Sequence, residues 1–266
     1  MIDFWYASYV VLGLIAGFLG GLLGIGGGIV MVPVLMMIFA TQSFSPEHVM
    51  HLALGTSMAG IIFSSLASAR THHAHGAVRW IVVRNITPGI FLGAMLGTRV
   101  ATLIPTRELV IFFGCFVLFI ALQMLLKFQP KPGRKLPEAL GQASVGLGIG
   151  GLSALVAIGG GSLTVPWLLR CNLTIQQAIG SSAAIGLPIA VFGSAGYIWN
   201  GYGASGLPAR SLGFIYLPAL SCMLVASTLA APFGARLAHR MPVALLKQVF
   251  AVLLIAMAIK MLWTVI

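Results

Sequence analysis

Acidic side chains are what this sequence has least of. Four carboxylates, Asp3, Glu47, Glu108 and Glu138, stand against 15 Lys and Arg in 266 residues. Asp3 is terminal, Glu47 and Glu138 fall between apolar runs, and Glu108 follows Pro105 where a helix would open, a place that suits a carboxylate. With none in mid-run, the sequence argues against a proton relay through a buried acid and against a carboxylate-lined sodium site. Cysteine is scarce as well: Cys115, Cys171 and Cys222 are isolated and read as packing residues, not as ligands or bridge partners. The chain has no GK[ST] phosphate loop, no HExxH helix and no GxSxG elbow, so nothing in it resembles an ATP-driven motor or a membrane hydrolase.

Charge of either sign is also rare, at 7% of residues, whereas apolar residues make up 59% and mean hydropathy is +1.04. One water-soluble core cannot absorb that much apolar surface, so the chain reads as an integral membrane protein. The net charge of +11 then marks cytoplasmic loops and not a nucleic-acid partner. The first residues, MIDFWYASYVVLGLIAGFLG, offer no basic n-region and no A-x-A-like site, and read as a first membrane element, not a cleaved signal.

The most informative stretch occurs twice. Residues 24–35 read GIGGGIVMVPVL and residues 157–168 read AIGGGSLTVPWL; at an offset of 133, Gly26, Gly27, Gly28, Val32 and Pro33 fall on Gly159, Gly160, Gly161, Val165 and Pro166. Three successive glycines are poor helix formers, so each stretch predicts a helix break inside an apolar run. At membrane depth, backbone freed by a break survives only where protein or a water-filled cavity satisfies it. Paired breaks in two halves are therefore a pointer to a transport site.

Apolar runs of about 17 to 25 residues place the other helices. The run from Tyr9 to about Ala40 is a broken helix or helical hairpin, followed by 51–69, 81–103 and 109–127. A proline-rich polar linker, FQPKPGRKLPE, comes next, and then the series recurs as 143–169 with its break, 177–199, 212–235 and 245–265. Gly55, Thr56 and Ser57 pair with Gly180, Ser181 and Ser182; further on, Gly97, Arg99, Ala101 and Pro105 pair with Gly234, Arg236, Ala238 and Pro242. The expected organisation is an all-α membrane protein of two homologous repeats, 1–127 and 142–266, joined by a cytoplasmic linker at 128–141. Each repeat holds one glycine-broken element and three transmembrane helices. Inverted repeats put eleven Lys and Arg on the cytoplasmic side and four outside, whereas parallel repeats give nine and six, so the positive-inside rule favours inversion with both ends outside.

A break exposes the N–H groups of the half-helix that follows, at the positive end of its dipole, which suits an anion. Thr56, Ser57, Ser181 and Ser182 add hydroxyl donors without fixed charge. The predicted anion site is therefore Gly26, Gly27, Gly28, Thr56, Ser57, Gly159, Gly160, Gly161, Ser181 and Ser182. Packing is the other reading of such glycines, and it is taken here for Gly13, Gly17 and Gly20. Close packing does not require three glycines in succession, so the triplets are assigned to binding. Arg99 and Arg236, equivalent near the end of the third element of each repeat, read either as pathway residues at opposite mouths or as snorkelling side chains.

A duplicated unit with GxGGG...P, then GTS or GSS, then GxRxA...P, resembles the TauE/SafE sulfite exporter family, also called TSUP, across nearly the whole chain. The resemblance implies a bacterial inner-membrane permease for sulfite, thiosulfate, sulfoacetate or related sulfur-containing anions; it supplies a class and not a molecule. Ala157 in place of a Gly24 equivalent, and Ser181 in place of Thr56, leave the two half-sites unequal. The expected partners are a small anionic substrate and the lipid bilayer, with no nucleic acid, no cofactor and no enzyme activity; a homo-oligomer is left open. An anion channel using the same site is the alternative. A divalent metal-ion carrier using His72, His73 and His75 is a third reading, set below that of a solvated basic turn because no carboxylate accompanies the imidazoles and the second repeat has no counterpart.

Overall fold

A computed structural model describes residues 2–23, 27–126, 133, 135–238 and 243–264. Ten helices occupy them. The first five are α1 (Ile2–Leu23), α2 (Gly28–Thr41), α3 (Val49–Ala74), α4 (Trp80–Leu103) and α5 (Thr106–Leu125). The second five are α6 (Ala139–Leu155), α7 (Gly161–Arg170), α8 (Ile175–Gly201), α9 (Leu217–Ala238) and α10 (Val243–Trp263). Helices are what a membrane-buried chain must form, because they satisfy each backbone group within one segment. The predicted segments match these helices to within a few residues, with one correction. The run expected to be helical from Leu212 starts its helix only at Leu217, after a two-stranded hairpin, β1 (Ser211–Leu212) and β2 (Ile215–Tyr216). Arg210 and Gly213 at its bends have φ of 68° and 54°, and the Phe214 N–H donates to the Tyr197 carbonyl at 3.2 Å, which ties the hairpin to the end of α8.

Both glycine stretches do break the helix. The elements that follow are short: α2 has 14 residues and α7 has 10, about 21 and 15 Å at 1.5 Å per residue, well under the ~30 Å of hydrocarbon. Six helices are long and apolar enough to cross a membrane among the described residues, in α1, α3, α4, α5, α8 and α9. Of these α3 and α8 are the most enclosed, at 83% and 67% buried, and they form the centre. Leu92, Leu96, Phe119, Val225, Leu229 and Phe233 on the outer helices are exposed, as a lipid-facing surface requires.

Close contacts set the helix directions. Gly13, Gly17 and Gly21 of α1 lie against Met223, Ser227 and Ala231 of α9, so these two helices run parallel. Gly89, Gly93 and Gly97 of α4 meet Ala143, Leu147 and Gly151 of α6 in the same parallel sense. At the centre the sense reverses: Gly55, Met58 and Ser65 of α3 meet Tyr197, Gly193 and Gly186 of α8, an antiparallel crossing. The packing reading of Gly13 and Gly17 thus has its partner, a small-residue seam in which backbone meets backbone. Gly133, one of the few linker residues described, donates its N–H to the Arg170 carbonyl at 3.4 Å beside the end of α7.

Candidate functional site

The site is built on the two breaks. Gly27 caps α2 with φ 74° and Gly160 caps α7 with φ 77°, the same left-handed turn at equivalent positions. Only glycine adopts that conformation without cost from a Cβ. No side chain caps either helix. Among the described residues, the N–H groups of Gly28 and Ile29, and of Gly161 and Ser162, make no backbone hydrogen bond. These are the orphan donors that every helix start leaves.

The fold brings the two breaks together. A Cβ on Gly28 would overlap the carbonyl of Ala157, in the turn before α7, and would lie 2.5 Å from Ile61 Cδ1 in the middle of α3. On the other side, the carbonyl of Gly159 lies 2.8 Å from where a Cβ on Gly186 would sit, in the middle of α8, and Ser65 Oγ is 2.9 Å from the same point. Both half-helices therefore begin at mid-height of the central antiparallel pair. Gly26 lies outside the described residues.

The four predicted hydroxyls are all fully buried, but they do two different jobs. Thr56 Oγ1 accepts the N–H of Tyr216 at 2.9 Å, just before α9, and Ser181 Oγ accepts the N–H of Arg79 at 2.9 Å, just before α4. Each thus ties down the start of a helix and keeps its own hydroxyl proton to donate. Ser57 Oγ donates to the Gly28 carbonyl at 3.4 Å, and Ser182 Oγ has no partner among the described residues.

Arg99 and Arg236 are both exposed. Arg99 donates to Asn200 Oδ1 at 3.3 Å, whereas the Arg236 guanidinium sits 5.8 Å from the centre of the Phe233 ring. The histidine cluster is only in part the solvated turn expected: His72, 2% exposed, and His73 lie in the last turn of α3, His75 follows it, and His73 and His75 are at the surface. His73 Nδ1 accepts from Trp80 Nε1 at 3.0 Å, and His75 Nδ1 lies 2.7 Å from the Thr71 carbonyl oxygen.

Among the described residues, charge is missing from the interior. Every described Lys and Arg side chain is exposed, as are Glu47, Glu108 and Glu138. Whatever binds at the breaks meets dipoles and hydroxyls. Sequence reading passed over one polar run: Ser64, Ser65 and Ser68 continue from Ser57 along α3, all buried, where the equivalent α8 positions are Ile189, Ala190 and Gly193. It also passed over His51, whose ring nitrogens lie 3.2 and 3.1 Å from the Glu47 and Ala101 carbonyl oxygens. A groove of about 610 Å³ lined by Trp5, Val11, Val30, Val34 and Met257 is almost wholly apolar and opens between α1, α2 and α10. So apolar a lining does not suit an anion.

Ten helices, lipid-facing apolar surfaces and two half-length helices meeting at the centre define a multi-pass membrane transporter. The family model for Sulfite exporter TauE/SafE matches residues 9–261, and the chain belongs to that family. A probable membrane transporter protein of Haemophilus influenzae is 37% identical over 255 residues, 95% of this chain and 96% of the relative. The probable membrane transporter protein YunE of Bacillus subtilis is 32% identical over 74% of this chain and 80% of its own length. YdhB of the same organism, another probable membrane transporter protein, is 26% identical over 90% of this chain and 91% of its own. No solved structure matches the chain. The protein is a transporter, not an enzyme.

Proposed function

We propose that the protein carries small sulfur-containing anions such as sulfite, thiosulfate or organosulfonates out of the cell, across the bacterial inner membrane. The substrate is held between the two breaks by the N–H groups around Gly26–Gly28 and Gly159–Gly161 and by the hydroxyls of Thr56, Ser57, Ser181 and Ser182. One observation carries this reading: two uncapped helix starts meet at mid-height in an interior that holds no described charged side chain. Bringing an anion into hydrocarbon is prohibitive unless fixed dipoles replace its water. Helix starts and hydroxyls are the donors on offer.

The proposed organisation is two inverted repeats, 1–127 and 142–266, with the linker at 128–141 cytoplasmic and both ends outside. The antiparallel crossing of α3 with its equivalent α8 supports it, because an axis in the membrane plane reverses each helix relative to its mate. The same directions group Arg70, Arg79 and Arg236 at one face and Arg99 and Arg210 at the other, the distribution favoured by the positive-inside rule. Export needs no coupling acid: each negative charge expelled from an interior at negative potential gains about 2.3 kcal/mol per 100 mV.

Flux of sulfite and thiosulfate in proteoliposomes tests the function. Saturation with counterflow is the expected behaviour of a permease, and linear flux without counterflow identifies a channel. Flux of neither anion above that of empty vesicles removes the substrate assignment. Replacing His72, His73 and His75 together tests the metal-ion alternative, which requires loss of metal uptake in that variant.

A further inference from the structure

The two breaks are equivalent in backbone and unequal in chemistry. At the corresponding positions of the first break stand Gly20, Ile29 and Met31, and the Ser57 hydroxyl is spent on the Gly28 carbonyl. At the same offset of 133, the second break has Ser153, Ser162 and Thr164. Ser153 and Thr164 are fully buried, and neither hydroxyl has a partner among the described residues; the Ser162 Oγ is buried and unpartnered too. Thr164 Oγ1 points at the break itself, 3.2 Å from where a Cβ on Gly160 would sit. Ser153 stands on the last turn of α6 and its carbonyl accepts the Ile158 N–H within the break at 3.0 Å. Ser182, the remaining unpartnered hydroxyl, lies one turn before Gly186, which the Gly159 carbonyl touches.

Burying a hydroxyl without a partner is costly, and it is the exception in folded proteins. Four such hydroxyls on or beside one ten-residue helix start form a site waiting for an acceptor. We propose that, between the breaks, the second one supplies the main seat of the anion, through the Gly161 and Ser162 N–H groups and the Ser153, Ser162, Thr164 and Ser182 hydroxyls, while the first break closes against it through Gly28. This rests on the reading that substrate lies between the breaks, and it narrows the ligand class. A pyramidal or tetrahedral oxyanion with three oxygens on one side, as in sulfite or a sulfonate, can accept from several donors at once. Donors that carry no charge hold such an anion without trapping it, which suits a carrier that must release what it binds.

Isothermal titration of the purified full chain with sodium sulfite, thiosulfate and methanesulfonate tests the assignment. Thr164→Val and Ser153→Ala are each expected to raise Kd about tenfold, since each removes a hydrogen bond to a charged group. Thr164→Ser should restore wild-type affinity, and Met31→Leu, at the equivalent position of the first break, should leave it unchanged. Wild-type affinity in both Thr164→Val and Ser153→Ala overturns the proposal, as does an equal loss in Met31→Leu. Ser153→Ala removes only an unpartnered hydroxyl, so it carries the test should Thr164→Val fail to fold. Gly160→Val separates the two readings. If it abolishes binding while the hydroxyl variants bind normally, only the cradle falls; if all three fold and bind normally, the site between the breaks falls with it. No heat with any of the three salts in the wild type overturns the oxyanion class.

Discussion

Gly28 touches the carbonyl of Ala157, a contact between the first residue of one half-helix and the turn that precedes the other. No side chain fits there, because the opposing atom is backbone and Ile61 closes the remaining space. Ala157 itself sits at φ 46°, a left-handed conformation that costs an alanine about 1–2 kcal/mol. Gly28→Ala should therefore force the breaks apart and cost at least the 1–3 kcal/mol typical of overpacking, about. Ala157→Gly relieves the turn and loses a comparable amount to chain entropy, leaving stability within about 1 kcal/mol of wild type. Thermal unfolding in detergent measures both, and equal melting temperatures for the two variants would refute the contact.

The paired hydroxyls give an independent check. Thr56 and Ser181 each accept a backbone N–H at the start of a helix in the other half of the chain, so Thr56→Val and Ser181→Ala should each destabilise by about 1 kcal/mol, as loss of a helix cap does. Ser182→Ala should not, because its hydroxyl has no partner to lose. The expected outcome is a lower melting temperature for the first two, an unchanged or higher one for the third, and weakened sulfite binding for the third. A fall in stability for Ser182→Ala without loss of binding would reverse its role.

His51 offers a third. Its two ring nitrogens face carbonyls of Glu47 and Ala101, joining the start of α3 to the end of α4. One ring N–H can donate to one of the two, and each carbonyl also accepts from Thr106 or Ile104, so His51→Leu removes a single hydrogen bond and should cost about 0.5–1.5 kcal/mol. His51→Gln keeps an amide donor and should recover part of the loss in the same melting assay.

What the sequence made legible was whatever repeats. Glycine triplets break helices for a backbone reason that needs no partner, so both breaks and the elements around them could be placed from composition alone. Gly13 and Gly17 showed their packing role through spacing, and α9 bears it out. What could not be read was which hydroxyls are used. Thr56 and Ser57 are neighbours in the chain, yet one accepts from Tyr216, 160 residues away, and the other donates to Gly28. The hairpin at Ser211–Tyr216 was hidden for a related reason. Its residues are apolar enough to continue a helix, and only the positive φ at Arg210 and Gly213 and the bond to Tyr197 turn them aside. Ser153 and Thr164 are not legible from recurrence, because they are places where the repeat departs from itself.

Orientation is tested by labelling. In a background with Cys115, Cys171 and Cys222 replaced, Gly133→Cys should react with an impermeant thiol reagent only in inverted vesicles, and Gly203→Cys only in intact cells. Both positions have open space around them, so reactivity reports sidedness and not burial. Labelling of Gly133→Cys from outside would overturn the proposed topology.

The capping glycines separate strain from binding. Gly27 and Gly160 share their backbone angles, so an alanine at either pays the same left-handed penalty, about 1–2 kcal/mol. Their surroundings differ. A Cβ at Gly27 would overlap the carbonyl of Ala16, which is backbone in α1 and cannot yield, whereas at Gly160 it would meet the tip of Ile189 at 2.6 Å and Thr164 Oγ1 at 3.2 Å. Ile189 can turn aside; Thr164 would be pushed off the break. Gly27→Ala should accordingly lower stability the more, by a further 1–3 kcal/mol, about, from the steric conflict. Gly160→Ala should fold better and bind sulfite worse, since the displaced hydroxyl is one the anion would use. Melting temperature and Kd measured on the two purified variants decide the matter: if both properties fall together and equally in the two proteins, the breaks are alike and neither is the binding half.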